Sequence, residues 1–92
     1  MQSRNKPKPT AAEREHIERL QALGLCIVCG SEGPIEIHEP EQGMWFVSMP
    51  LCATCHRDQK YGWHGQRFNW KARKWGELDA INATIRLLME QT

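Results

Sequence analysis

Apolar residues Ile17, Leu20 and Leu23 recur at helical spacing behind Thr10-Ala-Ala-Glu13, a pattern that lays one stripe of a helix against a core. Thr10 and Glu13 carry the signature of a capping box, hydroxyl and carboxylate each meeting an orphan N–H of the first turn. Gly24 supplies a left-handed stop, so a helix is predicted from about Thr10 to Leu23. The period then changes. Ile35-Glu36-Ile37-His38 alternates apolar with polar, and Met44-Trp45-Phe46-Val47 has the aromatic and β-branched content of a partner strand. Glu39-Pro40-Glu41-Gln42-Gly43 joins the two as a turn. Period two sends Glu36 and His38 to the same face, away from Ile35 and Ile37. Pro50 is expected to end the second strand, and Leu51 to about Lys60 to form a short helix carrying Cys55 and His56. Leu78, Ile81, Ile85 and Leu88 mark a last helix from about Glu77 to Glu90, expected to pack on the first helix or on a second copy of itself.

At 92 residues the chain makes one domain whose core is too small to be stable without a staple. The cysteines supply a candidate: Cys26-Ile-Val-Cys29 and Cys52-Ala-Thr-Cys55 are two C-x-x-C knuckles, the spacing that offers four thiolates to one tetrahedral Zn²⁺. Disulfides are the alternative, but Met1 to Pro9 contains no apolar run and carries Arg4, Lys6 and Lys8, so a reducing, cytoplasmic setting and structural zinc are expected. A thiol redox protein would need a strand leading into its C-x-x-C, which is missing. Residues 1–9, with Pro7 and Pro9, read as a disordered basic arm; residues 10–92 read as a single zinc domain with its core at about 25–75. Nothing approaches the about 20 apolar residues of a membrane span, so a soluble protein with no membrane partner is expected.

The net charge of +1 hides a segregation. Between Leu20 and His56 stand Glu32, Glu36, Glu39 and Glu41 with no lysine or arginine, whereas Arg57, Lys60, Arg67, Lys71, Arg73 and Lys74 face the single acid Asp58 before Trp75. Tyr61, Trp63, Phe68, Trp70 and Trp75 are interleaved with them. Positive charge neutralises phosphates and flat rings stack on bases, so this stretch is the candidate nucleic-acid surface, although Trp70 and Trp75 read better as core.

His56 follows Cys55 directly and points away from it around a helix, so it belongs to a second site. Gly62 and Gly65 bracket His64, which allows the chain to turn back after the helix and bring His64 to His56. A hairpin carrying Glu36 and His38 would meet them there, giving nitrogen and oxygen ligands with open positions, the pattern of a catalytic metal site. His16, on the first helix, is assigned no role.

The order C-x-x-C, Glu36-Ile37-His38, Pro50-Leu51-Cys52-x-x-Cys55-His56 and Gly62-x-His64-Gly65 resembles the HNH (ββα-metal) endonucleases, and among them the phage RecA-dependent nuclease (Ref-like) group, over roughly Leu25 to Trp75. The resemblance implies an α+β fold, a small zinc-stabilised ββα-metal core with flanking N- and C-terminal helices. It also implies metal-dependent hydrolysis of DNA phosphodiester bonds in a phage-derived enzyme, with DNA and a recombinase filament as candidate partners. Cys26, Cys29, Cys52 and Cys55 become structural zinc ligands, and His56 and His64 hold a catalytic Mg²⁺ or another divalent ion. Two registers of the hairpin stay open: His38 is the general base with Glu36 as a carboxylate ligand, or His38 is itself a ligand and Glu39 stands in the base position. The asparagine of the family pattern ahead of Pro50 is replaced by Val47-Ser48-Met49, which keeps a second class open, a catalytically decayed zinc-bound DNA-binding or recombination accessory module.

Overall fold

The computed structural model describes residues 8–91; the basic arm expected at the N-terminus lies, up to residue 7, outside the described residues. Helix α1 spans Ala11–Leu23. Its capping box is complete: the Thr10 hydroxyl accepts from the Glu13 amide at 3.2 Å and the Glu13 carboxylate accepts from the Thr10 amide at 2.7 Å. Gly24 ends it at φ 64°, a backbone angle that suits a residue without Cβ. Leu20 is the fully buried residue of this helix, with Ile17 and Leu23 half-buried beside it.

Strand β1 is Glu36–His38, and it pairs antiparallel with β2 at Met49–Leu51, placing Glu36 opposite Leu51, Ile37 opposite Pro50 and His38 opposite Met49. This corrects the expected partner strand. Trp45–Val47 forms a 3-10 turn, closed by the Trp45 carbonyl, which accepts both the amide and the hydroxyl of Ser48 at 3.2 and 2.5 Å. The strand begins after it, with Pro50 inside rather than at its end. Proline is tolerated because both strands of a two-stranded sheet are edges, and the Pro50 carbonyl is still used: it accepts from the Ile27 amide at 3.0 Å, which docks the first cysteine knuckle on β2.

Helix α2, Ala53–Arg57, is shorter than expected. Asp58 stops it by turning to extended backbone and accepting from the Lys60 and Tyr61 amides at 2.9 and 3.0 Å, a local alternative to helical hydrogen bonding. Helix α3, Phe68–Arg73, is bracketed by Arg67 and Lys74, both left-handed at φ 64° and 60°. Helix α4 runs Glu77–Glu90 as expected, but its packing face differs. Ala80 and Thr84 are buried while Leu78 is 81% exposed; α4 packs on β2, and α1 packs on the sheet and the 3-10 turn. Small residues let α4 sit close to the core, and the Thr84 hydroxyl is satisfied by the Ala80 carbonyl at 2.8 Å. No helix among the described residues is long and apolar enough to cross a membrane.

Cys26, Val28, Met49, Leu51, Cys55, Trp70 and Ala80 form the core, with Trp63 and Trp75 packed against it. Trp70 is its largest side chain, and its indole N–H donates to the Cys55 carbonyl at 2.8 Å. Trp70→Phe keeps most of the volume but removes one of that carbonyl's two donors, the Trp63 amide at 2.9 Å remaining. A loss of about 0.5–1.5 kcal/mol is expected in denaturant titration; a variant as stable as wild type would show the bond to be dispensable.

Candidate metal centres

The first centre is built by two backbone turns. Gly30 donates its amide to the Cys26 carbonyl at 2.8 Å and takes φ 77°, curling the first knuckle so that Cys26 and Cys29 present their sulfurs together. Cys52 is the N-cap of α2, and its sulfur accepts from the Cys55 amide at 3.4 Å. All four sulfurs lie within 4.8 Å of one another, and Cys29 and Cys52 are 3.8 Å apart. A tetrahedron with Zn–S near 2.3 Å has edges of about 3.8 Å. The cluster therefore fits a structural metal such as zinc. Its surroundings suit thiolates unevenly: burial raises the Cys26 and Cys55 thiols above their ordinary range, although Asn69 donates to the Cys55 sulfur at 3.3 Å. At Cys29 burial also opposes ionisation, but hydrogen bonds led by that from Ser31 prevail and bring it down to about 7. A bound cation removes the mismatch by favouring all four thiolates at once.

The second centre gathers His38 from β1, His56 from α2 and His64 from the following loop; one ring nitrogen of each lies within 4.8 Å of the others. The ring centroids form a triangle with sides of 5.0, 5.1 and 5.2 Å. His64 returns to α2 as the two glycines suggest. Its amide donates to the His56 carbonyl at 3.0 Å, and a Cβ on Gly62 would lie 2.5 Å from the Asp58 nitrogen, so only glycine permits this approach. Gly65 is equally confined against the Asp58 and Gln59 carbonyls.

Two carboxylates set the tautomers. Glu77 accepts from His38 Nε2 at 2.6 Å, and Glu36 accepts from His56 Nδ1 at 2.8 Å. With those nitrogens protonated, His38 Nδ1 and His56 Nε2 face each other as lone pairs 3.3 Å apart, a repulsive arrangement unless a cation lies between them. A tetrahedral metal with bonds to nitrogen of about 2.0–2.1 Å has edges of about 3.3–3.4 Å. The donor set and spacing thus fit a metal, with each carboxylate orienting a ligand from behind. Arg57 holds Glu36 by two hydrogen bonds from Nε and one from Nη2, at 2.8–3.0 Å. This guanidinium first, and His56 second, pull the Glu36 carboxyl down to about 2. His64 is lowered by burial and by the neighbouring His56 and His38, so it stays neutral at cellular pH.

His38 is buried, His56 half-buried and His64 exposed, grading from the core to an open cleft of about 260 Å³ lined by Ile37, His38, Glu39, Gln42, His56 and His64. That is room for an ion and a phosphodiester group. A larger apolar groove between α1 and the end of α4, lined by Leu23, Leu25, Leu87 and Leu88, contains no metal-ligating group. Glu36 shares the face with His38 as its strand register requires, but its carboxylate is spent on His56 and Arg57. Glu39 lines the cleft and accepts from the Gly43 amide at 2.8 Å. His16 stands apart on α1 with its ring 5.5 Å from Phe46.

Sequence reasoning missed Glu77. It lies 39 residues from His38 and opens α4, where an acidic residue reads only as a complement to the helix dipole. The basic stretch also divides. Arg57 is paired with Glu36, Arg67 lies over Trp63 at 3.6 Å and donates to its carbonyl, and Arg73 lies over Trp75 at 4.1 Å and donates to Val28. Lys60 and Lys71 sit near Phe68, each 5.8 Å from its centroid. No family model matches the chain, and no curated protein or solved structure matches it.

Two outcomes follow from these geometries. Serine at Cys26 or Cys55 should cost zinc and most of the folding free energy, which in comparable small sites is on the order of 10 kcal/mol; metal analysis and circular dichroism measure both, and a zinc-free chain with an unchanged melting temperature contradicts the assignment. Glu77→Gln should weaken metal at the histidines about 10–100-fold while leaving the cysteine centre loaded, a split visible in separate Co²⁺ absorption bands for the two donor sets.

Proposed function

We propose that the chain is a small metal-dependent endonuclease of the HNH type that hydrolyses DNA phosphodiester bonds. The observation that carries this reading is the convergence of His38, His56 and His64 on an open cleft, with two of them held by carboxylates in the tautomer that turns a lone pair inward. The strand, strand, helix order of β1, β2 and α2 beside a four-cysteine centre supports it, as does the resemblance of the motifs.

The chain's groups divide the work. His38, His56 and His64 hold the ion, Glu36 and Glu77 orient two of the rings, and Arg57 keeps Glu36 anionic. Of the two hairpin registers, the distances favour His38 as a ligand: Glu77 occupies its Nε2 and its Nδ1 lies 3.3 Å from His56 Nε2, so an ion held between those two nitrogens would leave neither nitrogen of His38 to take a proton from water. Glu39 on the cleft wall is then the base, its carboxylate accepting the proton of the attacking water. A divalent ion held by these three histidines would polarise a phosphoryl oxygen and stabilise the departing oxygen. Three imidazoles suit Zn²⁺, Co²⁺, Ni²⁺ or Mn²⁺ better than Mg²⁺, which prefers oxygen donors. Lys60, Lys71 and Lys74 bind the phosphate backbone outside the cleft.

Nicking of supercoiled plasmid across a series of divalent ions tests the reading. Wild type should cut, with the rate at limiting metal falling as the pH drops and protons compete with the ion for imidazole. His64→Ala should cut only at raised metal concentration, and Glu39→Gln should lower the rate at saturating metal while leaving affinity for the ion unchanged. If Glu39→Gln were as fast as wild type, the base would lie elsewhere. A wild type that binds DNA but never cuts, with any ion and with or without a recombinase filament, would instead make this a zinc-bound DNA-binding module. Binding itself should weaken with salt, by about 0.9 log units per decade for each phosphate neutralised on duplex DNA, and Lys60→Ala with Lys71→Ala should flatten that slope.

A further inference from the structure

We propose that Tyr61 and Phe68, with Lys60 and Lys71, form a base-stacking platform for single-stranded nucleic acid beside the histidine centre. This rests on the nuclease reading and names the strand form the centre would take. Both rings are 40% exposed and lie side by side, so that they form one exposed aromatic patch. They meet edge to face at 6.4 Å and 75°, so one ring's face is not hidden by the other's. The Lys60 ammonium lies 5.6 and 5.8 Å from the two centroids and that of Lys71 lies 5.8 Å from Phe68. These separations approach the outer limit of cation–π contact, about 6 Å. The ammonium groups thus lie over the rings only loosely, on flexible stems that can turn to phosphates when a base takes the ring face. The nearest acid, Asp58, is turned to the Lys60 and Tyr61 amides.

The backbone fixes this platform to the centre. The Phe68 amide donates to the Lys60 carbonyl at 3.1 Å and the Asn69 amide to the Tyr61 carbonyl at 3.2 Å, so the loop that carries His64 starts and finishes on the platform. In an intact duplex the faces of the bases are covered by their neighbours. Exposed aromatic rings therefore gain contacts only from unpaired bases, at the end of a strand or where a strand is displaced.

Fluorescence anisotropy with a labelled oligothymidylate and a labelled duplex of equal length, in buffer without added divalent ion, reads the difference. Wild type should prefer the single strand. Tyr61→Leu and Phe68→Leu should each weaken oligothymidylate binding about tenfold with duplex binding hardly changed, while Tyr61→Phe and Phe68→Tyr restore it; retained zinc shows that each variant is folded. Leucine variants that bind the single strand like wild type, or that lose both substrates equally, overturn the platform. Plasmid nicking separates the two readings: cutting by wild type with unaltered single-strand binding in the leucine variants removes the platform alone, whereas stacking-dependent binding without cutting leaves the platform and removes the nuclease.

Discussion

Four sulfurs from two segments meet within 4.8 Å of one another, and the rest of the molecule is arranged around that meeting. The sheet has three residues in each strand and the core is correspondingly slight, too little for independent stability in a two-stranded sheet. The cysteines supply what the core lacks. Cys26 and Cys29 reach the cluster from a turn hydrogen-bonded to β2 through Ile27 and Pro50; Cys52 and Cys55 reach it from the first turn of α2. One ion held by both pairs would fix the direction of α2 relative to β1, and because His56 follows Cys55 in the chain, it would fix His56 relative to His38 as well. A structural centre thereby becomes the ruler for a chemical one.

The shortness of α2 extends this order to the loop. Carbonyl groups at the end of a helix have no partner within it and must find one elsewhere. Here Cys55 offers its carbonyl to the Trp70 indole and to the Trp63 amide at 2.9 Å, and His56 offers its own to His64. The unsatisfied end of the helix thus recruits the returning loop, the principal core aromatic and a histidine of the second centre. Gly62 makes the approach sterically possible, but these acceptors give it direction. Had α2 continued to Lys60, its carbonyls would have been consumed by the next turn and His64 would have had nothing to return to.

Local signals in the sequence were read well because their physics is local. The capping box at Thr10, the stop at Gly24, the limits of α4, the two C-x-x-C knuckles and the glycine-bracketed return of His64 each depend on residues within a few positions of one another. The errors came where a distant element decides. Met44-Trp45-Phe46-Val47 has strand composition, yet Ser48 satisfies the Trp45 carbonyl locally and the pairing partner of β1 moves to a proline-containing segment whose edges the sheet can spare. The α4 stripe was read from large apolar residues, of which Ile81 does pack on the core, but the fully buried positions are the small Ala80 and Thr84 while Leu78 and Ile85 are exposed. Glu77 was invisible for the same reason: its meaning depends on His38, across the whole fold. The glycines around His64 and the alternation of the hairpin located the histidines, but the register of the hairpin could be weighed only when both ring nitrogens of His38 had partners.

The two carboxylates also decide how charge is distributed around the second centre. Glu36 is neutralised by Arg57, and with its carboxyl held near 2 it remains an acceptor throughout the pH range in which imidazole can bind a metal, so His56 keeps its tautomer there. Glu77 lies on the buried side, behind His38, and the N-terminus of α4 further offsets its charge. Neither carboxylate projects into the cleft between the rings and solvent. An ion on three neutral imidazoles would therefore keep most of its positive charge facing the opening, where the exposed His64 stands. A phosphate approaching from that side would reach the ion past Glu39, the acid that lines the cleft, while the anions that hold the ligands in place are screened from it by those ligands.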